Sequence, residues 1–397
     1  MNKPAVAGLI IIVLAICIAL LGYLVIPDKT TDANDSISMF QHQPPGFSIK
    51  VMKDRDDRKV EEPNWFNAYL FGRPNPFTVR PIESYTIEGA FVKVKEYNVQ
   101  GKIDEIRYPL IDIVEPLWIG ASEKFKADSL GNFRVEGDKV LYLDISNQQQ
   151  SISIADLKEK FENNHIETRF YVLGTDLNGR DMFSRLMLGF RISLSIGFIS
   201  VLISAFLGIF LGATAGFFGG RVDNAIMWFM SVVWSIPGIM LVIAISLALQ
   251  SKDIWVAFVA VGLTTWVEIA RVVRGQILSL KEKLFVEAAK ALGVSSFRII
   301  YYHILPNMTG PLIVILTSNF ANAILTEAGL SFLGLGVQPP TPSWGVMVSE
   351  GFERIASDGG FHLVFFPSLF ISLMVLAFNL LGNGLRDAYD PKTTTKQ

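Results

Sequence analysis

One cysteine, Cys17, is all that 397 residues provide, which excludes an intrachain disulfide and a cysteine-built zinc site. Histidine is nearly as scarce. His42, His165, His303 and His362 are scattered, without the His-Glu-x-x-His spacing that binds zinc, so no metal site is expected. There is no Gly-x-x-x-x-Gly-Lys-Ser/Thr phosphate loop, since Gly101-Lys102 runs on into Ile103. A Gly-x-Ser-x-Gly nucleophile turn is also missing. Catalysis by this chain, including ATP hydrolysis, is therefore not expected. Charged residues are 18% of the chain, against about 25% in ordinary globular domains. A net charge of -2 argues against nucleic acid as the main partner.

What the chain does have is apolar length. Half of it is hydrophobic and its mean hydropathy is +0.38. The first apolar run, Ala5–Ile26, follows Lys3. About 22 helical residues reach roughly 33 Å, enough to cross a bilayer core. A cleavable signal would need a small-residue site, and Tyr23-Leu24-Val25-Ile26-Pro27 has none. Ile16 before Cys17 is equally unlike the small residue that precedes a lipidated cysteine. Residues 1–27 therefore read as an uncleaved transmembrane anchor.

Residues 28–170 are polar and contain no spanning segment. They include the charged cluster 53–59 (KDRDDRK). Residues 86–99 (TIEGAFVKVKEYNV) and 140–154 are β-branched and aromatic and read as strands, and 154–163 as a short helix. The expectation is a β-rich (α+β) inserted domain between the first and second spans. From Arg191 the chain is apolar again, with spans expected near 192–217, 225–249, 254–273, 308–330 and 362–381. That gives an all-α polytopic membrane protein with six transmembrane helices. Gly208, Gly212, Pro237 and Gly262 inside the spans are tolerable in membranes. Gly208 and Gly212 also have the spacing of close helix approach.

Loop charges set the orientation. Arg271, Arg274, Lys281, Lys283, Lys290 and Arg298 outweigh Glu282 and Glu287 in one loop, which the positive-inside rule puts in the cytoplasm. Glu327, Glu350, Glu353 and Asp358 outweigh Arg354 in the loop before the last span, which belongs outside. Both termini are then cytoplasmic and residues 28–190 external. Arg180, Arg185 and Arg191 go against this locally, but long translocated domains escape the rule.

The basic loop, about 281–307, is the most informative stretch. Residues 281–292 are expected to be helical, with Leu284, Phe285, Ala288 and Leu292 on one side and a Glu287–Lys290 pair on the other. Gly293 supplies a left-handed stop, Ser295 or Ser296 a cap for the next helix, and Pro306 the end of the element. Such an elbow, with small Ala288 and Ala289, suits insertion into a cleft on another protein. A helix lying in the lipid headgroups is the competing reading, and it has no need of the stop and cap.

The order Glu287-Ala288-Ala289, Gly293, then Leu305-Pro306 resembles the coupling loop of ABC importer permeases. Residues 173–194 (LGTDLNGRDMFSRLMLGFRISL), 327–345 (EAGLSFLGLGVQPPTPSWG) and 384–391 (GLRDAYDP) resemble the dipeptide/oligopeptide branch of that family. Together these cover a little over half the chain. The resemblance implies that Glu287, Ala288, Ala289, Leu292, Gly293, Phe297, Leu305 and Pro306 dock an ABC ATPase subunit. It also implies a second homologous permease subunit, an extracytoplasmic solute-binding protein and location in a bacterial inner membrane. This chain would bind no cofactor; ATP and Mg would sit in the partner ATPases. The implied cargo is di- or oligopeptides, with nickel, opines or glycan fragments as alternatives. A scaffold displaying the external domain, or a secondary transporter, are the rival classes.

Other residues carry several readings. Asp176 or Asp181 would cap a lead-in helix, with Arg180 and Arg185 pairing to carboxylates, and a structural elbow explains them without a ligand. Pro339 to Trp344 is a lid, a contact for a binding protein, or a membrane-interface anchor. Glu268 and Arg271, one turn apart, read as a gate or a buried pair. Family members usually have an arginine and an aspartate where this chain has Trp228 and Ser231, and an aliphatic residue is commoner at His303. An insertion as large as 28–170 is also unusual for the family. The domains expected are thus an anchor at 1–27, the insertion at 28–170, a permease core at 171–391 and a cytoplasmic tail at 392–397.

Overall fold

The computed structural model describes residues 3–57, 61–97, 105–120, 132–251, 253–355 and 360–389. Arg58, Lys59, Asn98, Val99, Gly101 to Ile103, Asp358, Asp390, Pro391 and the tail 392–397 lie outside the described residues. In chain order, α1 (Lys3–Leu21) precedes β1 (Phe47–Arg55), α2 (Trp65–Phe71), β2 (Phe77–Glu88), β3 (Phe91–Glu96) and β4 (Glu105–Pro109). Then come α3 (Leu110–Val114), β5 (Phe133–Glu136), β6 (Lys139–Leu143), β7 (Gln149–Ser153), α4 (Ile154–Lys160) and β8 (Ile166–Tyr171). The helices α5 (Met182–Phe218), α6 (Gly220–Ser235), α7 (Gly238–Leu249), α8 (Ile254–Leu280) and α9 (Leu284–Ala291) follow. The last are α10 (Ser296–Arg298), α11 (Thr309–Phe332), α12 (Trp344–Phe352) and α13 (Phe361–Tyr389). The chain divides into two compact units, one of Met1–Val25 with Leu186–Gln397 and one of Ile26–Arg185.

Among its described residues the Ile26–Arg185 unit holds two antiparallel sheets, ordered β4-β3-β2-β1-β8 and β5-β6-β7. Successive side chains of a strand point to opposite faces, and β1 shows why this sheet is buried on both. Val51 joins Ile37, Phe40, Ile49 and Tyr171 on one face. Met52 joins Ile82, Val92, Val94 and the α3 residues Leu110, Ile111 and Ile113 on the other. Residues 86–99 are not one strand: Gly89, at φ +62°, turns the chain between β2 and β3. The short helix after β7 begins as expected, with the Ser153 hydroxyl accepting from the Asp156 N–H at 3.0 Å.

At the end of this unit Asp181, not Asp176, caps the coming helix by accepting from the Ser184 N–H at 3.0 Å. Asp176 instead receives Arg180 at 2.6 Å and Arg185 at 3.2 Å. All three side chains are almost fully buried, so the motif is a structural knot.

Asp112 in α3 provides a titration. Burial, then the nearby Asp57 and Asp54 charges, push its carboxyl up to about 6. A carboxyl with a raised native pKa holds its proton more tightly when folded. Its stabilisation is present below about pH 4 and is lost as pH rises through about 6. Asp112→Asn is therefore expected to melt at a higher temperature than the parent at pH 7.5, and to lose that advantage at pH 4. Identical melting differences at both pH values would contradict the assignment.

Among the described residues of the helical unit, five helices are long and apolar enough to cross a membrane, starting at Lys3, Met182, Ile254, Ser296 and Phe361. The stretch expected as a straight span at 225–249 is broken: α6 and α7 meet at 92°. Pro237 has no N–H, and its ring disfavours helical backbone at Ile236, which is extended at φ -87°, ψ 129°. Counted as one, the bent pair makes a sixth candidate.

α5 and α8 approach along small residues. A Cβ on Gly208 would meet the Ile269 Cβ at 2.7 Å, and one on Gly212 the Ala270 carbonyl. One on Gly216 would meet the Arg274 carbonyl at 2.9 Å, and from the other side one on Gly262 the Ile203 Cβ at 2.7 Å. The spacing seen at Gly208 and Gly212 is thus the centre of a longer seam.

Two outer-loop expectations change. Glu327 is not in a loop: it is buried within α11, accepting from the Ser331 hydroxyl at 2.7 Å. Trp344 is neither an exposed lid nor an interface anchor. It is fully buried, its indole N–H donates to the Leu186 carbonyl at 3.1 Å, and Phe190 packs edge-on at 4.8 Å.

Candidate functional site

The basic elbow is built from the core outward. α8 ends when Lys281, which the sequence pattern placed in the next helix, donates its N–H to the Ile277 carbonyl at 2.9 Å. α9 then runs only over Leu284–Ala291. Its inner face buries Val286 and Ala289 among Ile269, Val273 and Ile277 of α8 and Ile299, Ile304 and Met308. Burying a side chain the size of Val286 contributes about 1.5–3 kcal/mol, so this short helix is held by packing rather than by its own propensity.

Its stop is fully made. Gly293 adopts φ +73°, its N–H donates to the Lys290 carbonyl at 3.0 Å, and the Val294 N–H reaches the Ala289 carbonyl at 3.1 Å. These two bonds form the Schellman closure, which needs a left-handed residue. Ser295 occupies the cap position of α10, but its hydroxyl makes no cap hydrogen bond. Nor does Pro306 end the second arm. Wide helical turns at Ile299–Ile304 and tight ones at Leu305–Met308 carry the helix past it into α11, so Ser296–Phe332 is one long helix. The altered turns absorb the amide that proline lacks.

The outer face of the elbow is apolar and open. Leu284 is 83% exposed, Leu292 83% and Phe297 76%, with Ala288 exposed between them. Phe297 also stacks on Tyr301. Large apolar side chains exposed together at a surface mark a site of protein or membrane interaction. Glu287 is exposed beside them and makes no ion pair among the described residues; the expected partner Lys290 lies over the Phe217 ring at 5.3 Å instead. Of the docking residues expected from sequence, Ala289 faces inward, Leu305 is half-buried, and Glu287, Ala288, Leu292, Gly293, Phe297 and Pro306 are exposed.

Glu268 and Arg271 do not pair. Glu268 is exposed, and the Arg271 guanidinium lies 3.8 Å from the Trp234 ring centroid. One turn on, Arg274 grips Asp223 with two hydrogen bonds of 2.6 Å each. Trp228 and Ser231, where the family's pair was missing, are exposed on the same helix. The sequence did carry a signal for this missed pair: ionisable groups at the edge of apolar runs rarely stay alone. Both contacts fasten α8 to α6.

Residues 208–395 match the family of binding-protein-dependent transport system inner membrane components. The dipeptide transport system permease protein DppC of Bacillus subtilis is 45% identical over 219 residues, covering 55% of this chain and 68% of that protein. The chain belongs to this permease family. The glutathione transport system permease protein GsiD of Pectobacterium atrosepticum is 44% identical over 220 residues, 55% of this chain and 72% of the relative. The oligopeptide transport system permease protein OppC of Bacillus subtilis is 40% identical over 219 residues, 55% of this chain and 71% of the relative. This permease is therefore the inner-membrane subunit of an ABC importer, and the Ile26–Arg185 unit lies outside the matched residues.

Proposed function

We propose that this permease passes di- or oligopeptides inward and that its elbow is the docking knob for a separate ATPase subunit. The observation that carries the reading is the exposed Leu284, Leu292 and Phe297 on an element whose other face is locked into α5, α8 and the arm leading to α11. Closure of the ATPases on ATP would push a knob that cannot move alone. The Asp223–Arg274 and Arg271–Trp234 contacts then pass the displacement of α8 to the bent pair. Rigid-body shifts of packed helices are the ordinary way such coupling travels.

In this reading there are six spans, the bent pair counting as one, with both termini cytoplasmic and residues 28–170 outside as a β-rich insertion. A second permease subunit completes the pore, and an extracytoplasmic binding protein delivers the cargo. Peptide cargo is inferred from the three relatives named above, permeases of dipeptide, glutathione and oligopeptide transport systems. Proteoliposomes containing the whole assembly test it. ATP-dependent uptake of a labelled dipeptide supports the reading, and uptake of nickel, an opine or a glycan fragment without dipeptide overturns it.

A further inference from the structure

The Ile26–Arg185 unit contains a cavity of about 730 Å³, within the roughly 300–1,000 Å³ of small-ligand clefts. Its floor is a sheet face whose charges cancel. Lys53 meets Glu167 at 3.0 Å, and Arg169 lies between Asp35 at 2.6 Å and Glu167 at 2.7 Å. Little charge is left there for a ligand.

The rim is different. Lys29, Arg55 and Arg73 are exposed, and among the described residues none of them pairs with a carboxylate. A backbone contact ties two of them together. The Arg73 N–H donates to the Lys29 carbonyl at 2.9 Å, and Arg55 faces Phe77 across β1 and β2. Glu62, without an ion pair among the described residues, is one of the lining acids, with Asp28, Asp56 and Asp181. Pro63, Pro74 and Pro76 with the Phe77 ring form a stiff apolar wall.

We propose that this cavity binds a short peptide with a free C-terminal carboxylate. Arg55 and Arg73 supply charge-assisted donors for the carboxylate, Glu62 answers the ammonium, and the proline wall takes a side chain. Prolines order the wall in advance, so little entropy is lost on binding. The site is on the part of the chain outside the family match. The choice of a peptide over other carboxylates rests on the import reading above.

Titration calorimetry on the full chain in nanodiscs tests this with three probes: Ala-Phe-Ala, its C-terminal amide and inorganic phosphate. The free acid should bind saturably. Amidation, or the double change Arg55→Ala with Arg73→Ala, should each weaken binding by about tenfold or more. Arg55→Lys with Arg73→Lys should retain most of the affinity, and an unchanged melting temperature shows that the alanine variant is folded. Equal binding of acid and amide, unchanged affinity in the alanine variant, or phosphate competing as well as peptide would each overturn the proposal. ATP-driven uptake of the same tripeptide is measured separately. Uptake without cavity binding sinks the cavity alone, whereas absent uptake sinks the import reading.

Discussion

Gly293→Glu is expected to strip the ATPase subunit from the purified permease while leaving the permease at normal levels in the membrane. The residue sits at φ +73° with nothing within 4 Å of an added Cβ, so space is not the difficulty. Backbone conformation is. An L-residue in the left-handed region costs roughly 1–2 kcal/mol, enough to favour opening the closure formed by the Lys290 and Ala289 carbonyls. Once it opens, Leu292 and Phe297 no longer share one surface. Interface anchors of this kind are commonly worth about 2 kcal/mol or more, so co-purification should fall by about tenfold or more. Gly293→Asn is the control, because asparagine tolerates left-handed backbone, and it should retain most of the ATPase. A normal ATPase yield with Gly293→Glu would show that the elbow's shape does not matter for docking.

Gly212→Leu is expected to act by a different route, on the fold itself. The first atom it adds would meet the Ala270 carbonyl and then the Val273 Cβ at 2.9 Å. A backbone carbonyl cannot rotate aside as a side chain can, so α5 and α8 must separate. Overpacking costs about 1–3 kcal/mol or more, and the strain falls on a seam that continues through Gly208 and Gly216. The yield of folded permease should drop severely and the melting temperature of its helical unit should fall by several degrees, about 1 kcal/mol corresponding to about 2–4 °C for a unit of about 150–250 residues. Gly275→Leu, on the same α8 but with open space around it, should behave like the parent. If the two variants melt alike, the close α5–α8 approach is not a support of the fold.

Some of this structure was legible because a local rule decides it. Gly293 reads as a stop because few other residues accept that backbone conformation, and the apolar runs reveal long helices through composition alone. The Gly208–Gly212 spacing likewise revealed a close approach, though not that Gly216 and Gly262 extend it. What escaped depends on partners distant in sequence or on competing local rules. Pro237 is tolerable in a membrane helix in principle, yet here it breaks one at 92°, while Pro306 passes through a long helix by altering its turns. The same residue type gives opposite outcomes because the surrounding backbone differs in how it can redistribute its hydrogen bonds. Trp344 reads as an interfacial residue until Gly189 and Phe190 close around it. Arg271 looks like a partner for Glu268, three residues away, but the neighbouring α6 offers the Trp234 ring. The Ile26–Arg185 unit was the least legible part, since strand pairing such as β1 with β8 joins residues more than a hundred positions apart.

The side of the membrane on which the elbow lies decides whether an ATPase subunit can reach it. In a Cys17→Ser background, Lys290→Cys would be treated with a membrane-impermeant thiol reagent in intact cells and in inside-out vesicles. Labelling is expected only in the vesicles, with added ATPase subunits slowing it. Labelling from outside intact cells would put the elbow where no nucleotide-driven subunit can reach it, and the proposed coupling would be wrong.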